Sequence, residues 1–180
     1  LHFTAYDYKT LGYQIKCNPA IKAKENRDAL WEAVLDNRLD VIATDHAPHT
    51  WEEKRAPYEK AHSGLPLVQH SLPLMLYYYK QGKISLEKIV EMMSHNVATC
   101  FQIKDRGYIR EGYYADLVIA DLEKTNTVSK ENILYKCGWS PLEGFSFPAS
   151  VTHTFVNGHL AYENGLFDEN IKGRRMQFSR

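Results

Sequence analysis

Apolar positions recur along this chain with two different periods, and the change between them falls near Lys104. Before that point the period is helical. Leu30, Ala33 and Val34 share one face of the segment 24–37 among charged neighbours, which predicts an amphipathic helix with those three inward. Ser63-Gly64-Leu65-Pro66 reads as a tight turn ahead of a mostly apolar helix from Leu67 to Gln81, which Gly82 ends. Ser85 is placed to cap a further helix with Leu86, Ile89, Val90 and Met93 as its buried stripe, and His95 and Asn96 mark its end.

Two short runs without helical period stand earlier in the chain. Gln14–Cys17 is a strand candidate stopped by Asn18-Pro19, because the residue before a proline is steered out of the helical region. Asp40–Thr44 is a second, bounded by the polar cluster Asp45-His46-Ala47-Pro48-His49-Thr50. Strand, helix and strand in this order predict two parallel neighbouring strands joined by a right-handed crossover, with Asn18 and Asp45 at the same end of the sheet. Thr50 and Glu53 have the spacing of a capping box.

Beyond Lys104 the elements become short strands. Gly107 and Gly112 bracket Tyr108–Glu111, Ala115–Ala120 is an apolar strand, and Val151–Val156 with His159–Tyr162 flank Asn157-Gly158. That dipeptide is the strongest short-range hairpin signal, since both turn positions need positive φ. A domain boundary is therefore expected near residue 104, and the basic tail 172–180 is expected to lie on the surface.

Charge narrows the function classes. With 22 basic and 22 acidic residues the chain carries no net field to draw it onto nucleic acid or an anionic membrane. Cys17, Cys100 and Cys137 are odd in number and lack C-x-x-C spacing, which disfavours a disulfide framework or zinc knuckle and fits a reducing cytoplasm. No apolar run approaches the roughly 20 residues a membrane helix needs. The start at Leu1, without the charged and apolar regions of a signal peptide, reads as the middle of a longer protein.

The chemistry concentrates where the second strand candidate ends. Enzymes built on α/β barrels place reactive side chains at the C-terminal ends of their strands, which makes Asp45 the residue to explain. Taken alone, a strand-end aspartate more often caps the next helix. His46 should point away from Asp45 and support the site, and His95 should favour a helix C-terminal dipole. His2, His62, His70, His153 and His159 read as surface or packing residues. Trp31, Trp51 and Tyr77–Tyr79 read as packing, since no basic groove accompanies them.

Asp45-His46-Ala47-Pro48-His49-Thr50 with Glu52-Glu53-Lys54, and Asn18-Pro19-Ala20-Ile21-Lys22 one βα unit earlier, is similar to the C-terminal part of dihydroorotases in the amidohydrolase superfamily. Gly107–Val118 resembles the superfamily's re-entry into a small β domain, and Lys136–Gly144 resembles a family loop. The resemblance implies an α/β fold, with residues 1–103 as the last strands and helices of a metal-dependent (β/α)₈ TIM barrel. Residues 104–180 would then contribute strands to a small β-sandwich domain. It implies reversible ring closure of N-carbamoyl-L-aspartate to dihydroorotate in pyrimidine synthesis, on a Zn²⁺ centre of two ions in the complete protein. Asp45 would be both metal ligand and catalytic base, with Asn18, His49, Ser63 and Gly64 binding substrate, the last two mainly through backbone.

The family's paired metal histidines, its bridging ligand (a carboxylated lysine or an aspartate) and its substrate-binding arginine would lie upstream. This chain would therefore be a fragment, inactive alone, whose partners are a small-molecule substrate, the N-terminal barrel half of the same protein and, in some arrangements, a second copy in a homodimer. Two other readings compete. Hydantoinase-like and allantoinase-like enzymes share barrel, metal and aspartate, but in them the position of His49 is not generally this histidine. Non-catalytic relatives keep the fold as scaffold subunits, and Asp45 argues against that.

Overall fold

The computed structural model describes residues 1–179. Contacts divide the chain into two units, one formed by residues 1–39, 43–72 and 127–146 and the other by 40–42, 73–126 and 147 onward. The change of period near Lys104 lies inside the second unit.

In the first unit, 3-10 turns at Ala5–Asp7 and Gly12–Ile15 flank the single helical turn α1 (Tyr8–Leu11), followed by α2 (Lys24–Leu35) and the short α3 (Trp51–Lys54). The face of α2 is turned from the expected one. Trp31 and Val34 are buried while Leu30 is 46% exposed, because the larger indole takes the inner position and its N–H reaches the Leu1 carbonyl at 2.8 Å. Thr50 caps α3 as its spacing predicts: its hydroxyl accepts from the Glu53 amide, and the Glu53 carboxylate accepts from the Thr50 amide at 2.9 Å.

Neither strand candidate before residue 45 forms a strand. Gln14–Ile15 lie in a 3-10 turn, and Asp40–Thr44 are in an irregular segment outside any ladder. The second run is anchored at single points, through the Ile42 amide to the Met92 carbonyl and a parallel bridge between His46 and Leu65. An apolar run becomes a strand only when a neighbour satisfies its amides and carbonyls in register. Among the described residues these two runs do not pair with each other.

The apolar helix forms as expected, with a 3-10 turn Val68–His70 leading into α4 (Ser71–Lys80). In the second unit, α5 (Leu86–Val90) passes through a π turn (Glu91–His95) into α6 (Asn96–Cys100). The helix therefore does not end at His95. That ring stacks on Tyr108 at 4.2 Å, and the Asn96 side chain bonds the Asp40 carbonyl at 2.8 Å instead of terminating the helix. The inner stripe holds Ile89 and Met92, with Val90 exposed.

Strand β1 (Leu117–Asp121) is followed by the two-residue strands β2 (Asn126–Thr127) and β3 (Ser146–Phe147), which pair with each other. Then come β4 (Ser150–Val156), β5 (His159–Glu163) and β6 (Leu166–Phe167), completing an antiparallel sheet in the order β1-β4-β5-β6. The Asn157-Gly158 turn adopts φ of 51° and 83°, as its hairpin requires. Asp116 fixes that turn by accepting from the Asn157 amide at 2.7 Å, while Arg106 pairs with Asp116 and donates to the Asn157 side chain. The Ala-Asp-Leu-Val segment thus has a local structural task.

Candidate active site

Three segments of the first unit carry the five predicted site residues, and backbone hydrogen bonds join all three. The Ala47 amide donates to the Leu65 carbonyl at 3.1 Å, and the Gly64 amide donates to the Lys16 carbonyl at 2.9 Å. Gly64 is thereby held between the loop of Asp45–His49 on one side and the loop of Asn18 on the other. A side chain at Gly64 would meet the Ala47 carbonyl oxygen at 2.6 Å and the His49 ring at 3.1 Å, and its φ is +147°. Only glycine permits that approach.

Asp45 sits at φ 47°, in the left-handed region that aspartate tolerates better than most residues. Its carboxylate is solvent-exposed, and Asn18, after which the peptide bond to Pro19 is cis, is exposed too. No hydrogen bond engages either side chain among the described residues. Burial pushes the Cys17 thiol up, the nearby Lys54 charge opposes that, and the Asp45 carboxylate adds a further upward push. The Asp45 charge is therefore felt at the residue next to Asn18.

His49 faces the turn. Its Nε2 is 3.2 Å from the Ser63 carbonyl, which can only accept, so Nε2 carries the proton in this contact. Its Nδ1 lies 3.9 Å from the Glu53 carboxylate, and its ring stacks on His62 at 4.9 Å. The His46 Nδ1 accepts from the amides of Leu67 and Val68 at 3.0 and 3.2 Å. Gly64 is more fully used than expected, since its amide serves Lys16 and its carbonyl accepts from Lys54 at 2.7 Å.

Three participants carried no assigned role in the sequence. His62, which reads as a surface or packing residue, packs on one face of His49. Trp139 is buried and donates its indole N–H to the His49 carbonyl at 2.8 Å. Lys54 is fully buried although lysine almost never is, and no periodicity marks it. The Lys136–Gly144 loop, quoted for its resemblance, was the available signal for Trp139. Among the described residues no group of three or more histidine, cysteine, aspartate or glutamate side chains could hold a metal ion. The described residues do not by themselves fit a zinc site, which needs three or four protein ligands.

Residues 11–161 match the model of the amidohydrolase family. The chain belongs to the amidohydrolase family. Within it, the chain is 36% identical over 172 residues to the dihydroorotase of Archaeoglobus fulgidus, covering 94% of this chain and 40% of that protein. It is 36% identical to the dihydroorotase of Halobacterium salinarum, over 87% of this chain and 37% of that one. Its fold is similar to the L-hydantoinase (dihydropyrimidinase) from Arthrobacter aurescens, with a TM-score of 0.86, 30% identity, and coverage of 93% and 38%. The dihydropyrimidinase from Brevibacillus agri aligns at a TM-score of 0.84 and 25% identity, with coverage of 93% and 38%. The chain spans about 40% of the length of the curated relatives it matches.

Proposed function

We propose that the full-length protein is a dihydroorotase, opening and closing the ring amide of dihydroorotate. The observation that carries the reading is the backbone joining of the Asn18, Asp45–His49 and Ser63–Gly64 segments around an exposed aspartate held at positive φ. In this reading residues 1–103 belong to a (β/α)₈ barrel and 104–180 to its small β domain. A zinc centre would take Asp45 as one ligand and need others from outside the described residues.

Asp45 acts as general base. In the hydrolytic direction it takes a proton from the attacking water and returns it to the departing ring nitrogen, so that the C–N bond breaks without expelling an amide anion. In ring closure the same carboxylate takes the proton from the carbamoyl nitrogen as it attacks the side-chain carboxyl carbon, and returns it to the departing oxygen, which leaves as water when the C–O bond breaks. His49 and Asn18 hold the substrate carboxylate, His49 through its imidazole and Asn18 through its amide. A site built to hydrogen-bond a charged group rejects analogues that lack it, because its polar atoms are left unpaired.

The test is a side-by-side assay of full-length wild type and His49→Ala on dihydroorotate, dihydrouracil, hydantoin and allantoin. Wild type should prefer dihydroorotate, and His49→Ala should lose about ten- to a hundredfold in kcat/KM on it, from about 1.5–3 kcal/mol for a hydrogen bond to a charged group. Neutral rings should be little affected by the change. The likeness to hydantoinase structures supports a second reading, and a wild-type preference for a neutral ring would replace the first with it.

A further inference from the structure

Lys54 has no role in the chemistry above, yet it is fully buried. Its Nζ lies 2.8 Å from the Lys16 carbonyl, 2.9 Å from that of His62 and 2.7 Å from that of Gly64. Three acceptors match the three N–H donors of one ammonium. The Trp139 ring lies 5.9 Å from the same Nζ and fixes the His49 backbone through its own N–H. A charge is taken out of water here and compensated by carbonyl dipoles rather than by a carboxylate bonded to it. Burial lowers the Lys54 pKa to about 8, with Cys17 opposing and Lys16 adding to the shift, so the ammonium persists near neutral pH.

We propose that Lys54 is a positioning residue: by bridging the Lys16, His62 and Gly64 carbonyls it sets the spacing between the loop carrying Asn18 and the turn on which His49 rests. Asp45 makes no bond to Lys54, so the spacing of the binding groups and the base are separable. This inference rests on Asn18 and His49 being the substrate-carboxylate ligands.

The experiment compares full-length wild type with Lys54→Met, Lys54→Gln and Lys54→Ala. Lys54→Met should raise KM for dihydroorotate by about tenfold or more while kcat stays within about threefold. Ethylammonium should lower the KM of Lys54→Ala again, because it returns an ammonium to the vacated space. Exchange of the Gly64 amide should quicken at least about tenfold in Lys54→Met, with the amides of β4 and β5 unchanged. An unchanged KM with a protected Gly64 amide overturns the proposal, as does an equal fall in kcat and kcat/KM that no amine restores. If wild type proves inactive on dihydroorotate, the functional reading fails, and the Gly64 exchange rate still decides the role of Lys54. Should the variants not fold, nitrogen spectra of labelled wild-type lysines decide. One ammonium with slowly exchanging protons upholds the proposal, and its absence overturns it.

Discussion

Gly64→Ala adds a single methyl group at the point where the three site segments meet. The new carbon would stand 2.6 Å from the Ala47 carbonyl oxygen and 2.7 Å from the Ala47 Cβ, against an optimum of about 3.5–4.0 Å for carbon pairs. Retreat is restricted on both sides, because Ala47 is bonded to Leu65 and the Gly64 amide to Lys16. Overpacking of this kind costs about 1–3 kcal/mol, and holding a residue with a side chain at φ +147° adds about 1–3 kcal/mol. The expected loss is therefore about 2–6 kcal/mol, read as a lower urea midpoint with unchanged slope in the full-length protein. Because relief of the clash moves Ala47 or the His49 ring, KM for the preferred substrate should rise in the same variant. Ser63→Ala, one residue away and exposed, is the control and should stay within about 0.5 kcal/mol. A Gly64→Ala protein with the urea midpoint and KM of wild type would refute the account of how these segments are joined.

Three further outcomes follow from other parts of the molecule. Asp45→Asn should lower kcat about 10²–10⁴-fold with little change in fold, since asparagine also tolerates positive φ but cannot take a proton from water; near-normal turnover, with zinc content measured on the same samples, removes Asp45 as base. Gly158→Ala should destabilise the β4–β5 hairpin by about 1–2 kcal/mol, seen as faster amide exchange in those strands, because φ there is 83°. Burial lowers the His70 pKa from 6.5 to about 4. The unfolded chain therefore takes up that proton first on acidification, and the contribution present above pH 6.5 is lost as pH falls towards 4, by about 3 kcal/mol in all. Urea midpoints across that window should fall less in His70→Gln than in wild type, and parallel curves would exclude His70 as a cause.

The elements most legible in the sequence are those whose interactions are local. The Thr50–Glu53 box and the Ser85 cap are each satisfied within four residues, and the Asn157-Gly158 turn follows from two residues that accept positive φ, so residue type and spacing suffice to locate all three. The two strand candidates before residue 45 failed for the opposite reason, because a ladder depends on a partner that the run itself cannot specify. On α2 the period was right and the phase was not, since a periodic pattern does not say which of two adjacent apolar residues, Leu30 or Trp31, faces the core.

The same division runs through the site. In the sequence, Asp45 stood out by its place at the end of an apolar run, while Asn18, His49, Ser63 and Gly64 were marked only by the resemblance of their motifs to those of dihydroorotases. Only the tertiary structure decided that Gly64 must lack a side chain beneath Ala47, that the His49 Nε2 proton points at Ser63, and that Lys54 is buried against three carbonyls. Those facts depend on backbone atoms of residues up to 38 positions apart in the chain, and carbonyl oxygens are identical in every residue, so no choice of amino acid announces them.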